Sequence, residues 1–380
     1  MAWLSKFKRT LEELDQKVPP QPDGWPVTGL TAFYGLDFPT TPAPIKYISS
    51  RGIYLDIQEP LPVDQIVTLR FQMEGNPELS SDLEIMIQAQ VAQQEEFGLR
   101  LSFLLPPGLD AALWEVLIRG ITTLANPDQV APLFRTLRTV LFLCRLCPSG
   151  AKEAILLLDG NLDQDRATTL FKIAFAAENL LTADPDVDRM RADPKLVANL
   201  LRDGSWAPDE LTSQLWAGLF VSSCSLDEAD DSNQILVDLL IQITPHQAMI
   251  LTHACERALS SAPASGDFIP ASIVLSPDEI VHLTGVHDLS RNATELAYLF
   301  NLGLIQNVFD FTSYCDFDRF DVTPSHLGLE LHRHCRGQRG KIDPQLVADA
   351  GQHLAVFLPP PIPSVFENFT PFVPDSSREK

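Results

Sequence analysis

Basic residues are scarce: 28 lysines and arginines stand against 50 aspartates and glutamates in 380 residues, a formal charge of -22. So acidic a chain repels nucleic-acid phosphates and anionic lipid alike, which argues against broad electrostatic binding to either. Long apolar runs are missing too, and the densest, such as Val140 to Cys144, fall far short of the roughly 20 residues that span a bilayer. Met1 to Thr10 has no apolar signal-peptide core, so a cytoplasmic protein without membrane insertion is expected. Only six cysteines are present, spread along the chain, and the one close pair, Cys144-Arg-Leu-Cys147, lies in an apolar helical pattern. That placement predicts buried thiols, not a disulfide framework or a redox pair. No histidine precedes residue 246, and HExxH, GxSxG and phosphate-binding glycine loops are all absent. The expectation is a protein without a catalytic motif and without a cofactor.

Hydrophobic period divides what remains. Trp3, Leu4, Phe7, Leu11 and Leu14 recur at helical spacing before the break Pro19-Pro20-Gln21-Pro22, so residues 1–23 read as an amphipathic helix and linker. Between Val27 and Phe103 the period becomes two, giving four strands on Ile53 to Ile57, Val67 to Met73, Leu83 to Val91 and Phe97 to Phe103. Turn chemistry at Pro60-Leu-Pro-Val-Asp and Glu74-Gly-Asn-Pro-Glu predicts a compact antiparallel sheet or small barrel, closed by a helix bearing Leu109, Leu113, Val116 and Leu117.

Within "IKYISSRGIYL", residues 45 to 55, a serine and a glycine stand three apart in a turn between strands. With the late strand Phe97-Gly-Leu-Arg-Leu-Ser-Phe103 and the closing helix, the stretch 24–118 resembles a PilZ domain. The resemblance implies a small β-barrel and, in many relatives, cyclic di-GMP held by an RxxxR segment and a [D/N]xSxxG turn. Here the turn stands as Tyr47-Ile-Ser49-Ser-Arg51-Gly52, without the acid or amide, and Gly24 to Ile45 holds no arginine. Lys46, Ser49, Arg51 and Gly52 would be the ligand residues of such a site. One lysine does not replace two arginine forks, so the residues themselves favour a structural turn, with Gly52 bending the backbone and Ser49 satisfying a local donor.

From residue 119 the pattern is helical: a connector over 119–150, then a helical domain over 151–262. Asp159 to Asp165 imitates a calcium loop but carries Gln164 and Leu170 where glycine and glutamate are needed, so it reads as a solvated helix start. In "DGSWAPDELTSQLWAGLF", Pro208 is placed at a first helical position, with Leu211, Leu215 and Leu219 as an inward stripe and Trp216 beside it, as packing or as a partner contact. Thr244-Pro-His-Gln247 and Ser276-Pro-Asp-Glu279 are capping boxes, Ser290 caps a further helix, and Gly303 stops it. Leu304 to Gln306 and Phe320 to Val322 then read as a hairpin before a last helix through Leu327 and Leu331. Residues 268–337 thus outline a winged-helix-like module. Residues 270–336 hold four bases and nine acids, a local charge of -5, so protein contact is expected there, not DNA reading.

Residues 151–336 are also similar to the Abi-alpha family, bacterial proteins associated with abortive infection during phage attack. The likeness is carried by Leu215-Trp-Ala-Gly-Leu219, Leu240-Ile-Gln-Ile-Thr-Pro245, Leu302-Gly-Leu-Ile305, Val322-Thr-Pro324 and Leu327-Gly328. His326, His332 and Cys335 are the one metal set worth naming, since His332 and Cys335 have helical i, i+3 spacing. Residues 338–380 read as a short helix and a proline-rich tail with Phe357, Phe366, Phe369 and Phe372. The chain is expected to be an α+β protein: a PilZ-like antiparallel β-barrel, a helical bundle and a winged-helix-like module. It would serve as an intracellular sensor or adaptor with a protein partner, with a cyclic di-GMP receptor and an unrecognised metal-dependent enzyme as the alternatives.

Overall fold

The computed structural model describes residues 24–25, 27, 30–36, 38–73, 84–95, 98–109, 111–123, 127–148, 163–182, 184–226, 233–260, 272–306 and 319–340. The expected N-terminal helix, the segment between the two strands of the expected hairpin, and the proline-rich tail lie outside these residues. The described chain falls into two units, one running to Thr252 and resuming at Glu330, the other from His253 to Leu329.

The first unit opens with a seven-stranded antiparallel sheet: β1 (Leu30–Gly35), β2 (Thr41–Ala43), β3 (Ile45–Ile48), β4 (Gly52–Leu55), β5 (Ile66–Met73), β6 (Glu84–Glu95) and β7 (Gly98–Leu104), in the order β2-β1-β5-β6-β7-β4-β3. Alternation places Leu30, Ala32, Val67, Leu69, Phe71, Ile85, Ile87, Leu99, Leu101 and Phe103 in its core, as a period of two requires. The barrel expectation is corrected here: the sheet is open, with β2 and β3 as its edges. Closure needs a continuous ladder between first and last strands; among the described residues none joins β2 to β3, and Ile48 of β3 exchanges a pair of backbone bonds with Trp25. Pro42 in β2 removes a donor from the other edge, which suits an edge strand.

Helix α1 (Ala111–Thr123) is the expected closing helix. Trp114 is almost fully buried, its ring edge-on to Phe103 at 5.2 Å, and its indole N–H donates to the Ser50 carbonyl at 2.8 Å. The buried indole therefore keeps a partner for its polar atom while filling the space over the sheet. Helix α2 (Pro127–Leu146) follows and packs on β6.

The helical part of this unit comprises α3 (Gln164–Thr182), α4 (Pro194–Gly204), α5 (Glu210–Ser222), α6 (Gln234–Gln242) and the start of α7 (Pro245–Ser260), with a two-residue ladder between β8 (Arg191–Ala192) and β9 (Cys224–Ser225). Pro208 lies before α5, whose cap is Asp209; the Asp209 carboxylate accepts from the Thr212 N–H at 2.8 Å in a reciprocal capping box. A carboxylate in extended backbone reaches the third amide, which a proline cannot do. Helix α5 is also buried well beyond one stripe: Thr212, Leu215, Trp216, Gly218, Leu219 and Val221 are all inside. Trp216 is 5% exposed. Its ring lies against Gly204 of α4, where an added Cβ would stand 3.2 Å from it.

The second unit pairs β10 (Val274–Leu275) antiparallel with β11 (Phe320–Asp321), around α8 (Pro277–Thr284) and α9 (Leu289–Asn301). The Ser276–Glu279 box caps α8, and Gly303 takes a left-handed φ of 71° after α9. The cap of α9 is Asp288 and not Ser290, because its carboxylate accepts from both the Ser290 and Arg291 N–H groups. The expected hairpin is reduced to one bridge, Ile305 with Pro324, while Phe320–Asp321 pairs with β10 instead. Helix α10 (His326–Cys335) then leads back into the first unit.

Truncating Trp216 leaves a cavity in a helix packed on nearly all sides, so Trp216→Ala is expected to cost about 3–5 kcal/mol and lower Tm sharply. Gly218→Ala should also lower Tm, because a Cβ there would overlap the Cys335 carbonyl. Thermal melts check both, and an unchanged Tm in either variant would contradict this packing.

Candidate functional site

The turn at residues 49–52 is built from its own groups. Ser49 Oγ lies 3.3 Å from the Arg51 N–H and 3.2 Å from the Gly52 N–H, accepting from both. Backbone closure adds Ser49 N–H to the Gly52 carbonyl at 2.8 Å. Gly52 has no room for a side chain, since a Cβ would run into the Leu101 carbonyl of the paired strand. Arg51 is exposed, and Lys46 lies 3.6 Å from Asp56 and 5.2 Å from the centre of the Tyr54 ring. Thus the four PilZ-motif residues share one strand pair, and Ser49 and Gly52 spend their polar groups on the turn itself.

The metal candidates occupy α10. His326 is exposed at its start, whereas His332 and Cys335 are buried at its end. Among the described residues no group of three His, Cys, Asp or Glu side chains could hold a metal ion. The last turn instead carries a charge cluster. Arg333 donates to the Glu330 carboxylate through Nη2 at 2.6 Å and Nε at 3.1 Å, and His334, fully buried, sits beside both. Burial would raise the Glu330 carboxyl; the His334 ring and the Arg333 fork outweigh that and bring it to about 2. The five described cysteines are buried and form no disulfide with one another, and burial pushes the Cys144, Cys224 and Cys255 thiols up to about 12, far from thiolate reactivity at neutral pH.

Two features were missed in the sequence. The first is Trp206, in the turn between α4 and α5, which is 66% exposed. It is nevertheless held: the Arg166 guanidinium lies 3.9 Å from its ring centre, and Arg166 donates to Ser205 Oγ at 2.8 Å and to the Arg202 carbonyl at 3.3 Å. Asp163 fixes the base of Arg166 by accepting its backbone N–H at 2.9 Å. A tryptophan in a polar turn, off every helical stripe, was the available signal.

The second is a cavity of about 330 Å³ between α2 and α3. Phe142, Phe171, Phe175 and Ala174 supply apolar wall, and Arg135, Arg138 and Lys172 supply positive charge against a single acid, Glu178. Glu178 is committed to Arg138 at 2.6 Å, with both side chains under one-fifth exposed, and Arg138 also stacks on Phe175 at 4.4 Å. Arg135 and Lys172 form no ion pair among the described residues. Bases interleaved with phenylalanines over 135–142 and 171–175 were visible in the sequence, but not that the two runs face each other.

Residues 166–327 match the family model for abortive infection alpha. The match covers less than half of the chain and does not reach the sheet, so the PilZ resemblance rests on its sequence motif alone. No curated protein and no solved structure matches the chain. Among the described residues, no helix is long and apolar enough to cross a membrane.

Gly52→Val is expected to destabilise the sheet, while Arg51→Ala leaves its melt unchanged; equal melts for the two would refute the close approach. Glu330 gives a pH signature. Its folded-state value lies below the ordinary glutamate value of 4.5, so its stabilisation is complete above that value, declines as pH falls, and is gone once pH passes through about 2. Glu330→Gln should therefore flatten Tm against pH between about 5 and 2, and a wild-type slope in that variant would remove Glu330 as the cause.

Proposed function

We propose that this chain is a non-enzymatic intracellular adaptor or sensor in bacterial phage defence, acting through contact with a protein partner. The family match over 166–327 supports the defence role. The observation that carries the mode of action is Trp206, exposed yet braced by Arg166 inside that matched stretch. An immobilised aromatic loses little further freedom on docking, and tryptophan and arginine are both among the residue types enriched at the positions that dominate interfaces. The acidic second unit fits the same reading, as a winged-helix-like module that meets protein and not DNA, and the PilZ-like sheet would be its companion regulatory domain.

The test is phage plating on bacteria expressing the full chain or Trp206→Ala. Wild type should reduce plating. Trp206→Ala should abolish the reduction while its Tm stays within about 2 °C, as for a surface substitution. Full protection by Trp206→Ala, or none by wild type, would overturn the reading.

A further inference from the structure

We propose that the cavity between α2 and α3 is a binding site for a small amphipathic anion, an acyl or aryl body carrying one carboxylate or phosphate. The volume, about 330 Å³, lies in the range of small-molecule pockets, about 300–1,000 Å³. Its chemistry is two-sided. Phe142 is buried in the wall, and Phe171, Phe175 and Ala174 continue the apolar surface, which favours an apolar body.

Charge decides the other end of the ligand. In a protein of net charge -22, three bases converge on one cavity with one acid, and that acid is already bound to Arg138. Arg135 and Lys172 are left to meet an anion, Arg135 with a planar fork and Lys172 with a mobile point charge. A sugar or nucleobase would bring many donors and acceptors into the pocket. Beyond the charged groups, the described residues of its wall offer only Thr139 and Thr168 to answer them, and buried polar groups without partners cost binding. The wall therefore selects an acyl or aryl anion over a nucleotide.

Binding here is independent of the phage-defence reading, and its failure would leave that reading intact. Calorimetry on the full chain would use four probes: decanoate, 1-naphthyl phosphate, the neutral 1-decanol, and adenosine monophosphate. Decanoate or naphthyl phosphate should bind saturably and weaken with added salt, each at least tenfold tighter than decanol and adenosine monophosphate. In the double variant Arg135→Ala/Lys172→Ala, with melting behaviour as wild type, affinity for the anions should fall at least tenfold. Ala174→Phe, which fills the cavity from the apolar side and leaves the bases in place, should abolish binding as well. The proposal fails if neither anion binds, if decanol binds as tightly, if adenosine monophosphate binds more tightly, or if both variants retain wild-type affinity.

Discussion

The first unit is organised by one close approach: α5 lies buried on nearly all sides, and Gly218 brings its backbone against the carbonyl of Cys335. No side chain can stand between them, so the end of α10 is held at backbone distance from the middle of α5. The segment that follows is fastened by the same logic. Gly337 takes a left-handed φ of 78° against Val221, and Arg339 reaches Asp184 at 2.8 Å. Residues far apart in sequence thus complete one helical core, and the Glu330–Arg333–His334 cluster forms at the point where they join it. The half-buried Glu330 carboxylate is stabilised there by the guanidinium fork that satisfies it.

Burial of a helix on every side changes how it is written in sequence. An amphipathic helix announces its inner face by periodicity, but α5 needs small or apolar residues all round, and Ala217, Gly218 and Ser222 carry no stripe. Leu215 and Leu219 were legible as an inward row, whereas the role of Gly218 depends on a carbonyl more than a hundred residues away. Similarly, β5, β6 and β7 announce themselves through strong alternation, while β1 and β2 hide behind Ala32 and Pro42, which alternate in position but not in hydrophobicity. Whether seven strands close or stay open is set by long-range register, which local pattern does not encode.

Local chemistry was the most readable layer. The Thr244–Gln247 and Ser276–Glu279 boxes form with both halves in place, since each needs only four residues to satisfy two orphan amides. The helix start placed at Pro208 and the cap placed at Ser290 shift for one reason: Asp209 and Asp288 take the cap positions, because a carboxylate accepts charge-assisted bonds from helix amides. The candidate sites were harder to read because they depend on juxtaposition. Trp206 gains meaning from Arg166, forty residues earlier, and the cavity gains it from two helices whose sequence runs are separated by about thirty residues.

Scarcity of base then gives these positions their weight. In a chain this acidic, a guanidinium has abundant carboxylates to pair with, and most described arginines do so or stack on an aromatic ring: Arg70 on Phe33, Arg138 on Phe175, Arg166 on Trp206. Stacking removes part of the cation's hydration while leaving its edge donors available. Arg166 uses those donors to lock a turn, so that Trp206 is rigid despite facing solvent. Arg138 uses its donors on Glu178, neutralising the acid that would otherwise oppose an anion in the cavity. The same pairing rule therefore produces a firm contact surface in one place and a net-positive recess in another, and the difference lies in whether neighbouring bases outnumber the acids within reach.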